Sequence, residues 1–425
     1  MWRDGDFRSL WVGQTASQLG EHTSLLVLPL FAVLTLDAGA GELGVLRAVG
    51  QAPILLLSLF VGAWVDRWRT RTVMVLSDVG RALALGAAAL AGFFGRLGLP
   101  ALFVVVFAVG VLSVFFDVAY QSSLVRLVRR DQLVRGNSAL EGSRSAAQIG
   151  GPALGGALVS WLSASVAAAV GALFFTLSFL SIRRIRRIES VPEPHTEPLE
   201  LPERRRVRTV RRIHEGLRFV VGDASLRTVC LASAAFQFSF AALMTVHLLF
   251  LPRELHLSGT VVGLSLAATG PGALLGSLLA ARLPGRFGHG AVLVSAAALG
   301  DGAFLWVPAL HGSSATTVAA LLAVGFVFGA GGQLVNVTVM AVRQAVTPEG
   351  MQGRAAATIT FVGMGLTPLG SLLGGYLAQE WGLRTSLLVT ATAMLLSPVV
   401  MALSPLARLG RTLPEPAEHV GRASG

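Results

Sequence analysis

Along most of the chain, apolar residues run almost unbroken for twenty or more positions, and the charged residues collect in short stretches between the runs. The alternation of a half-buried strand is absent, and the runs are too long for barrel strands. Crossing ~30 Å of hydrocarbon at 1.5 Å per residue takes about 20 residues of helix, the element that satisfies its own backbone in lipid. Twelve such spans are predicted, over residues 10–36, 43–64, 73–94, 100–122, 138–160, 163–182, 227–250, 257–281, 290–310, 315–340, 354–378 and 384–405. The pattern predicts an all-α polytopic membrane protein with twelve transmembrane helices.

Composition agrees, since 53% of the 425 residues are hydrophobic and 13% charged, with a mean hydropathy of +0.68. An ordinary soluble domain is excluded. The formal net charge of +11 comes from 34 basic residues, all of them arginine, and their placement decides what the charge means. With the N-terminus in the cytoplasm, the cytoplasmic loops hold Arg67, Arg69, Arg71, Arg126, Arg129, Arg130, Arg135, the clusters "RRIRR" and "RRRVRTVRR", Arg282 and Arg286. The opposite side keeps little more than Arg47, Arg96, Arg253 and Arg384. That asymmetry follows the positive-inside rule, so the arginines orient the helices and nucleic acid is not expected as a partner. The expected location is a bacterial inner (cytoplasmic) membrane, crossed many times, with both termini cytoplasmic. No small-residue cleavage site follows the first apolar run, which is expected to be retained. Cys230, the single cysteine, excludes an internal disulfide and cysteine-based metal sites. No metal, cofactor or catalytic residue is expected, and without a G-x-x-x-x-G-K loop the energy source is expected to be an ion gradient.

A Pro- and Glu-rich stretch, "ESVPEPHTEPLELPE", separates six spans from six and has little to bury. Beyond it Val207, Val210, Ile213, Leu217 and Val220 recur at spacings of three and four between arginines, as in a helix lying on a membrane surface. Four units follow: an N-terminal six-helix bundle over 1–182, a cytoplasmic linker with an amphipathic helix over 183–226, a C-terminal six-helix bundle over 227–405 and a cytoplasmic tail over 406–425. The two bundles repeat. "GGPALGGALV" aligns with "LTPLGSLLGG" through Pro152 and Pro368, and "GQAPILLLSLF" with "TGPGALLGSLL" through Pro53 and Pro271, at offsets of 216 and 218 residues. Nearly equal offsets from different helices indicate duplication of a six-helix unit.

These residues resemble the major facilitator superfamily over the whole chain. "GAWVDRWRTR" is similar to its signature loop between helices two and three, and places Gly62, Asp66, Arg67 and Arg71 in a gating loop; Thr70 and Thr72 stand where further bases are usual, and Pro284 replaces the acid in the second copy. "AAQIGGPALGG" is similar to the helix-five antiporter motif, with Ala147 at its first glycine and Gly151, Pro152, Gly155 and Gly156 in register; Arg144 precedes it. "FRSLWVGQTASQLGEH" and "EGLRFVV" resemble a bacterial branch of siderophore and macrolide exporters. The resemblance implies that Asp117 pairs with Arg67 or Arg71, and that Asp66 caps helix eleven to latch an outward-open form. It also implies a cavity walled by helices one, four, seven and ten, here Gln14, Gln18, Phe116, Tyr120, Gln121, Phe236, Gln237, Phe240, Met244, Gln333, Asn336 and Met340. Apolar and aromatic with scattered amides, that wall suits an amphipathic molecule better than a sugar or phosphate.

Within the spans, Glu21 lies about eleven residues in, near ~16 Å deep, where an ionised side chain costs at least ~2.5 kcal/mol. It reads as a proton carrier, a structural acid or a ligand for substrate, and Asp117 as a second proton-coupling acid. "SALE" over 138–141 reads as a capping box opening helix five, with Arg144 in reach of Glu141. Asp78 and Arg81, three apart, read as a structural pair, and Asp301 lacks the partner acid an aspartyl protease needs. The expected function is export of a hydrophobic or amphipathic small molecule, drug or natural product, by proton antiport with alternating access. A siderophore or lysolipid translocator and a non-transporting sensor are the alternatives. The expected partners are the small-molecule substrate, protons and the lipid bilayer, and a monomer is expected.

Overall fold

The computed structural model describes residues 4–65, 68–127, 133–185, 215–348 and 351–412. Among them every regular element is helical. The first half consists of α1 (Gly5–Leu34), α2 (Ala40–Val65), α3 (Thr70–Phe93), α4 (Leu99–Leu127), α5 (Leu133–Trp161) and α6 (Ala164–Arg183). A short helix, α7, covers 215–222. The second half follows with α8 (Ala224–Arg253), α9 (Gly259–Ala267), α10 (Thr269–Ala280), α11 (Leu283–Phe287), α12 (His289–Gly302), α13 (Ala315–Val346), α14 (Gln352–Gly365), α15 (Thr367–Trp381), α16 (Leu383–Met394) and α17 (Leu396–Ala402). The pairs α9–α10, α14–α15 and α16–α17 each make one crossing, and α12 completes its crossing through the 3-10 turn Ala303–Ala309. The result is twelve transmembrane helices in two six-helix bundles.

Helix starts follow local chemistry. The side chains of Asp4, Ser163, Asp223 and Ser314 accept hydrogen bonds from the first-turn amides of α1, α6, α8 and α13, which would otherwise lack acceptors. One expected start is wrong. α5 begins at Leu133, so Ser138 lies inside the helix and "SALE" is no capping box. Three expected continuous helices are broken at Ala268, Leu366 and Leu395, each within three residues of Pro271, Pro368 or Pro398. A proline removes one backbone donor and crowds the carbonyl four residues back. Pro53 and Pro152 sit inside the unbroken helices α2 and α5, so the repeat diverges in its kinks.

Ten of these crossings are long and apolar enough to span a membrane by composition alone. The other two, α1 and α5, carry the polar residues, and α1 packs against both α5 and α6. On α1, burial inside the protein relieves Gln14 and Gln18 of facing lipid.

Among the described residues, the two halves share an apolar core at one end. It joins Leu26–Val33 of α1 to Leu243–Leu251 of α8. Toward the linker each half closes on its own core, around Phe7, Leu10, Val73 and Ile182 in the first and around Leu226, Val229, Leu293 and Leu406 in the second. Among the described residues the remote end is therefore shut, and toward the linker the halves share no core and a cleft lies between them.

Glycine makes the shut end possible. A Cβ on Gly156 would collide with the carbonyl oxygen of Gly259 and stand 2.9 Å from the Cα of Gly263, where α5 crosses α9. At the equivalent crossing in the duplicated fold, a Cβ on Gly375 of α15 would stand 2.9 Å from the Cα of Gly44 on α2. Asp37 and His256 both adopt positive φ, 49° and 52°, in the matching turns α1–α2 and α8–α9. Arg253 joins those turns, donating to Asp37 at 2.9 Å and to the carbonyl of Ala38 at 2.8 Å. Because Asp37 is exposed, this pair orients a turn and contributes little to stability.

A Gly156→Val substitution is expected to wedge α5 from α9 and hold the remote end open. Spin labels at Trp161 and Ser258, in a Cys230→Ser background, should then report a longer separation than in the parent. An unchanged separation would show that the glycine contact does not limit closure.

The linker expectation is tested only in part. Residues 186–214, including most of the expected amphipathic helix, lie outside the described residues. The described α7 docks on α14, with Glu215 at 2.9 Å from Arg354 and Val220 buried in the second half's core. Asp66 and Arg67 also lie outside the described residues, as does the side chain of Gln121.

Candidate functional site

The first half is organised around one buried arginine. On α3, Asp78 and Arg81 are one turn apart and both fully buried, and they form an ion pair. Three further helices complete it. Ser17 of α1 accepts from Arg81 at 3.0 Å and donates to Asp78 at 3.3 Å. Ser178 of α6 donates to the other Asp78 oxygen. Ser113 of α4 accepts from Arg81 at 3.2 Å. The rings of Phe116 and Phe175 each lie 4.4 Å from the guanidinium carbon, so aromatic faces cover a charge that hydrocarbon alone would not tolerate. Helical spacing sets these contacts, with Ser113 and Phe116 three apart on α4 and Phe175 and Ser178 three apart on α6.

Glu21 reaches this network from the cleft side. Its carboxylate lies 3.8 Å from Arg81, too long for a hydrogen bond, and its Oε2 has no hydrogen-bond partner. It stands one turn beyond Ser17 on the same face of α1, sixteen residues into the helix, or about 24 Å at the helical rise. That is farther along the helix than the eleven residues expected, because α1 starts at Gly5. The side chain of Glu21 is 22% exposed, against none for Asp78 and Arg81. Asp117, one residue beyond Phe116, lies within electrostatic range of Glu21, Arg81 and Arg144. Arg144 on α5 is exposed and also within range of Glu21 and Tyr120.

Glu21, Asp117, Arg144 and Tyr120, separated by up to 123 positions, are thus brought together around Arg81. No ion pair between Glu141 and Arg144 occurs among the described residues; Arg144 lies within electrostatic range of Glu21, Asp117 and Tyr120. Arg71 donates to the carbonyl of Arg183 at 2.5 Å, and among the described residues Arg81 and Arg144 lie within range of Asp117, while Arg67, the other expected partner, lies outside them.

The helix-five motif has two packing faces. Gly151 and Gly155 lie against His22 and Thr23 of α1, while Gly156 and the carbonyl of Pro152 press on Gly259 and Gly263 of α9. Gly62 lies in the last turn of α2, which ends at Val65.

The residues of the expected cavity wall differ in burial. Gln14 and Gln18 are buried on α1, and the Gln14 Oε1 has no hydrogen-bond partner. Phe116 is fully buried beneath Arg81 and stacks on Tyr120 at 6.5 Å; Met244 is buried in the joint core. Gln333 is half-buried, its Cβ beside Gly276 where α10 crosses α13. Gln237 is half-buried near Gly363, while Asn336 and Met340 are exposed. Phe236 and Phe240 stack on each other at 5.5 Å and on Phe328 of α13, which Phe304 meets edge-on at 5.1 Å. Sequence reasoning missed Phe328 and Phe304, which have no spacing that distinguishes them from other apolar helix positions. It also treated Asp78 and Arg81 as scaffold only, although an arginine inside an apolar helix was the available signal.

Two bundles sharing a cleft, with paired charges held at mid-helix, are a transporter's architecture. A family model described as transmembrane secretion effector matches residues 2–421. The chain belongs to that family, within the major facilitator superfamily. The multidrug efflux pump Tap of Mycobacterium tuberculosis is 28% identical over 414 residues, covering 92% of this chain and 91% of Tap. Tap of Mycolicibacterium fortuitum is 27% identical over 410 residues, covering 90% and 96%. Among solved structures, a bacterial homologue of the iron transporter ferroportin in an inward-facing state gives a TM-score of 0.73 at 19% identity, over 93% of this chain and 97% of that one. A bacterial homologue of the lysosomal transporter Spinster, inward-facing and occupied, gives 0.71 at 15% identity, over 95% and 96%. These structural likenesses concern the fold. This member of the family is a multi-pass membrane transporter and not an enzyme.

Proposed function

We propose that this transporter exports a hydrophobic or amphipathic small molecule from the cytoplasm in exchange for protons, and that Glu21 carries the proton. The observation that carries the reading is the contrast between two acids on one arginine. Asp78 is dry and held by Arg81, Ser17 and Ser178, so it anchors the cation. Glu21 is loosely held, partly exposed and has an oxygen without a partner. Protonating it removes a charge facing Arg81 without dismantling the anchor, and Asp117 and Arg144 share the redistributed field. That changes the relative free energy of the two orientations of the bundles, which is all a bound proton can do to a conformational equilibrium.

The linker end being cytoplasmic by the arginine distribution, the conformation described here would accept substrate from the cytoplasm. Gly62, Asp66, Arg67 and Arg71 would then close that end in the outward-open form. The named activity of the Tap relatives, multidrug efflux, supports the outward direction. The aromatic cluster of Phe236, Phe240 and Phe328 supports an apolar or aromatic substrate body.

Expression in a host stripped of its own efflux pumps should raise tolerance to at least one amphipathic drug, and a protonophore should abolish the gain. Tolerance that survives the protonophore would reject proton coupling.

A further inference from the structure

A second intramembrane arginine lies far from the Arg81 network. Arg47 stands seven residues inside α2, about 10 Å from its start at the shut end. No ion pair engages it among the described residues, and its Nε is buried without an acceptor. Its direction follows from the stripes of α2. Val45 and Leu56, eleven apart and exposed, mark the lipid face, and Gly44 marks the face against α15. Arg47 falls on a different stripe, with Leu43 one turn toward the shut end and Ile54 two turns toward the linker. Leu43 is fully buried, and Ile54 is 41% exposed away from the lipid face. Arg47 therefore sits at the blind end of the cleft. One turn on, Gln51 accepts from Ser371 through its Oε1 at 3.1 Å, which leaves its amide N–H groups free to donate.

We infer that Arg47 and Gln51 form a receptor for an anionic head group, a carboxylate or sulfonate, at the shut end of the cleft, so that the substrate class is an amphipath that enters acid first. A guanidinium presents a planar fork that matches a carboxylate bidentately, and burial strengthens such a bond. The acids Glu21 and Asp117 do not compensate Arg47, because they belong to the Arg81–Arg144 cluster. The inference deepens the export reading and rests on it for the word substrate.

Two probes with one aromatic body and opposite charge, 1-naphthaleneacetate and 1-naphthalenemethylammonium, test it by equilibrium dialysis against the purified full chain. The parent should bind the acetate at least about tenfold more tightly than the ammonium, an ordinary margin for one charged contact. Arg47→Ala should erase that preference by weakening the acetate alone, and Arg47→Lys should keep part of it. Equal binding by the parent, a preference for the ammonium, no binding of either probe, or acetate affinity unchanged in Arg47→Ala would each overturn the inference. Flux of 1-naphthalenesulfonate driven by a pH gradient in the same preparation separates the two readings. Flux with no Arg47 effect on binding sinks the anion receptor alone, and Arg47-dependent binding without flux under any gradient sinks the export reading alone.

Discussion

Arg81→Met is expected to cost about 3–5 kcal/mol of stability, the range for removing one partner of a buried ion pair. The penalty arises from what remains. Asp78 would keep two oxygens in a dry interior with only Ser17 and Ser178 as donors, and Phe116 and Phe175 would face a thioether chain in place of a cation. The double variant Asp78→Asn, Arg81→Met leaves no charge on this face of α3 and should recover much of the loss, since Glu21 and Asp117 keep Arg144 within range. Thermal unfolding in detergent, read by intrinsic fluorescence, measures both. If Arg81→Met unfolded with the parent, the network would be peripheral to stability and Asp78 could not be its anchor.

Glu21→Gln should have the opposite profile, with folding retained and coupling lost. The amide is close to the carboxylate in size, and Arg81 keeps Asp78, Ser17 and Ser113. What disappears is a carboxylate of the Arg81 shell whose side chain is partly exposed and whose Oε2 has no hydrogen-bond partner. Downhill exchange of a labelled amphipath needs no proton cycle and should persist, while accumulation against a gradient should fall to the level of empty vesicles. Asp117→Asn is expected to slow transport and shift its pH dependence without abolishing it, since Asp117 shares the field of Arg81 and Arg144 with Glu21. The pH profile of flux in vesicles separates the two variants. Equal loss in both would mean that the acids act as one unit.

The spans were legible in the sequence because lipid imposes length and apolarity on every crossing, and even the polar α1 and α5 retained apolar stretches long enough to notice. The repeat was legible through its prolines. Which prolines break a helix was not, since Pro53 and Pro271 read alike and only the second ends one, at Ala268. Glu21, Asp117 and Arg144 could be singled out as charges with no place in lipid. Their common centre could not, because Ser17, Arg81, Ser113 and Ser178 lie on four helices up to 161 residues apart and converge only in the packed bundle. Arg47 was counted among arginines of the remote side, and only the helix around it reveals a charge enclosed by protein. Phe116 looked like a cavity wall by its helix, whereas its ring is committed to Arg81.

The most direct test of the account is the pH inside proteoliposomes, followed with a trapped dye while an inward gradient of 1-naphthalenesulfonate drives exchange. Protons should leave as the sulfonate enters, so the lumen of vesicles carrying the parent should become alkaline, and Glu21→Gln vesicles should pass the sulfonate with no pH change. Full sulfonate flux without proton movement in the parent, or unaltered proton movement in Glu21→Gln, would contradict it.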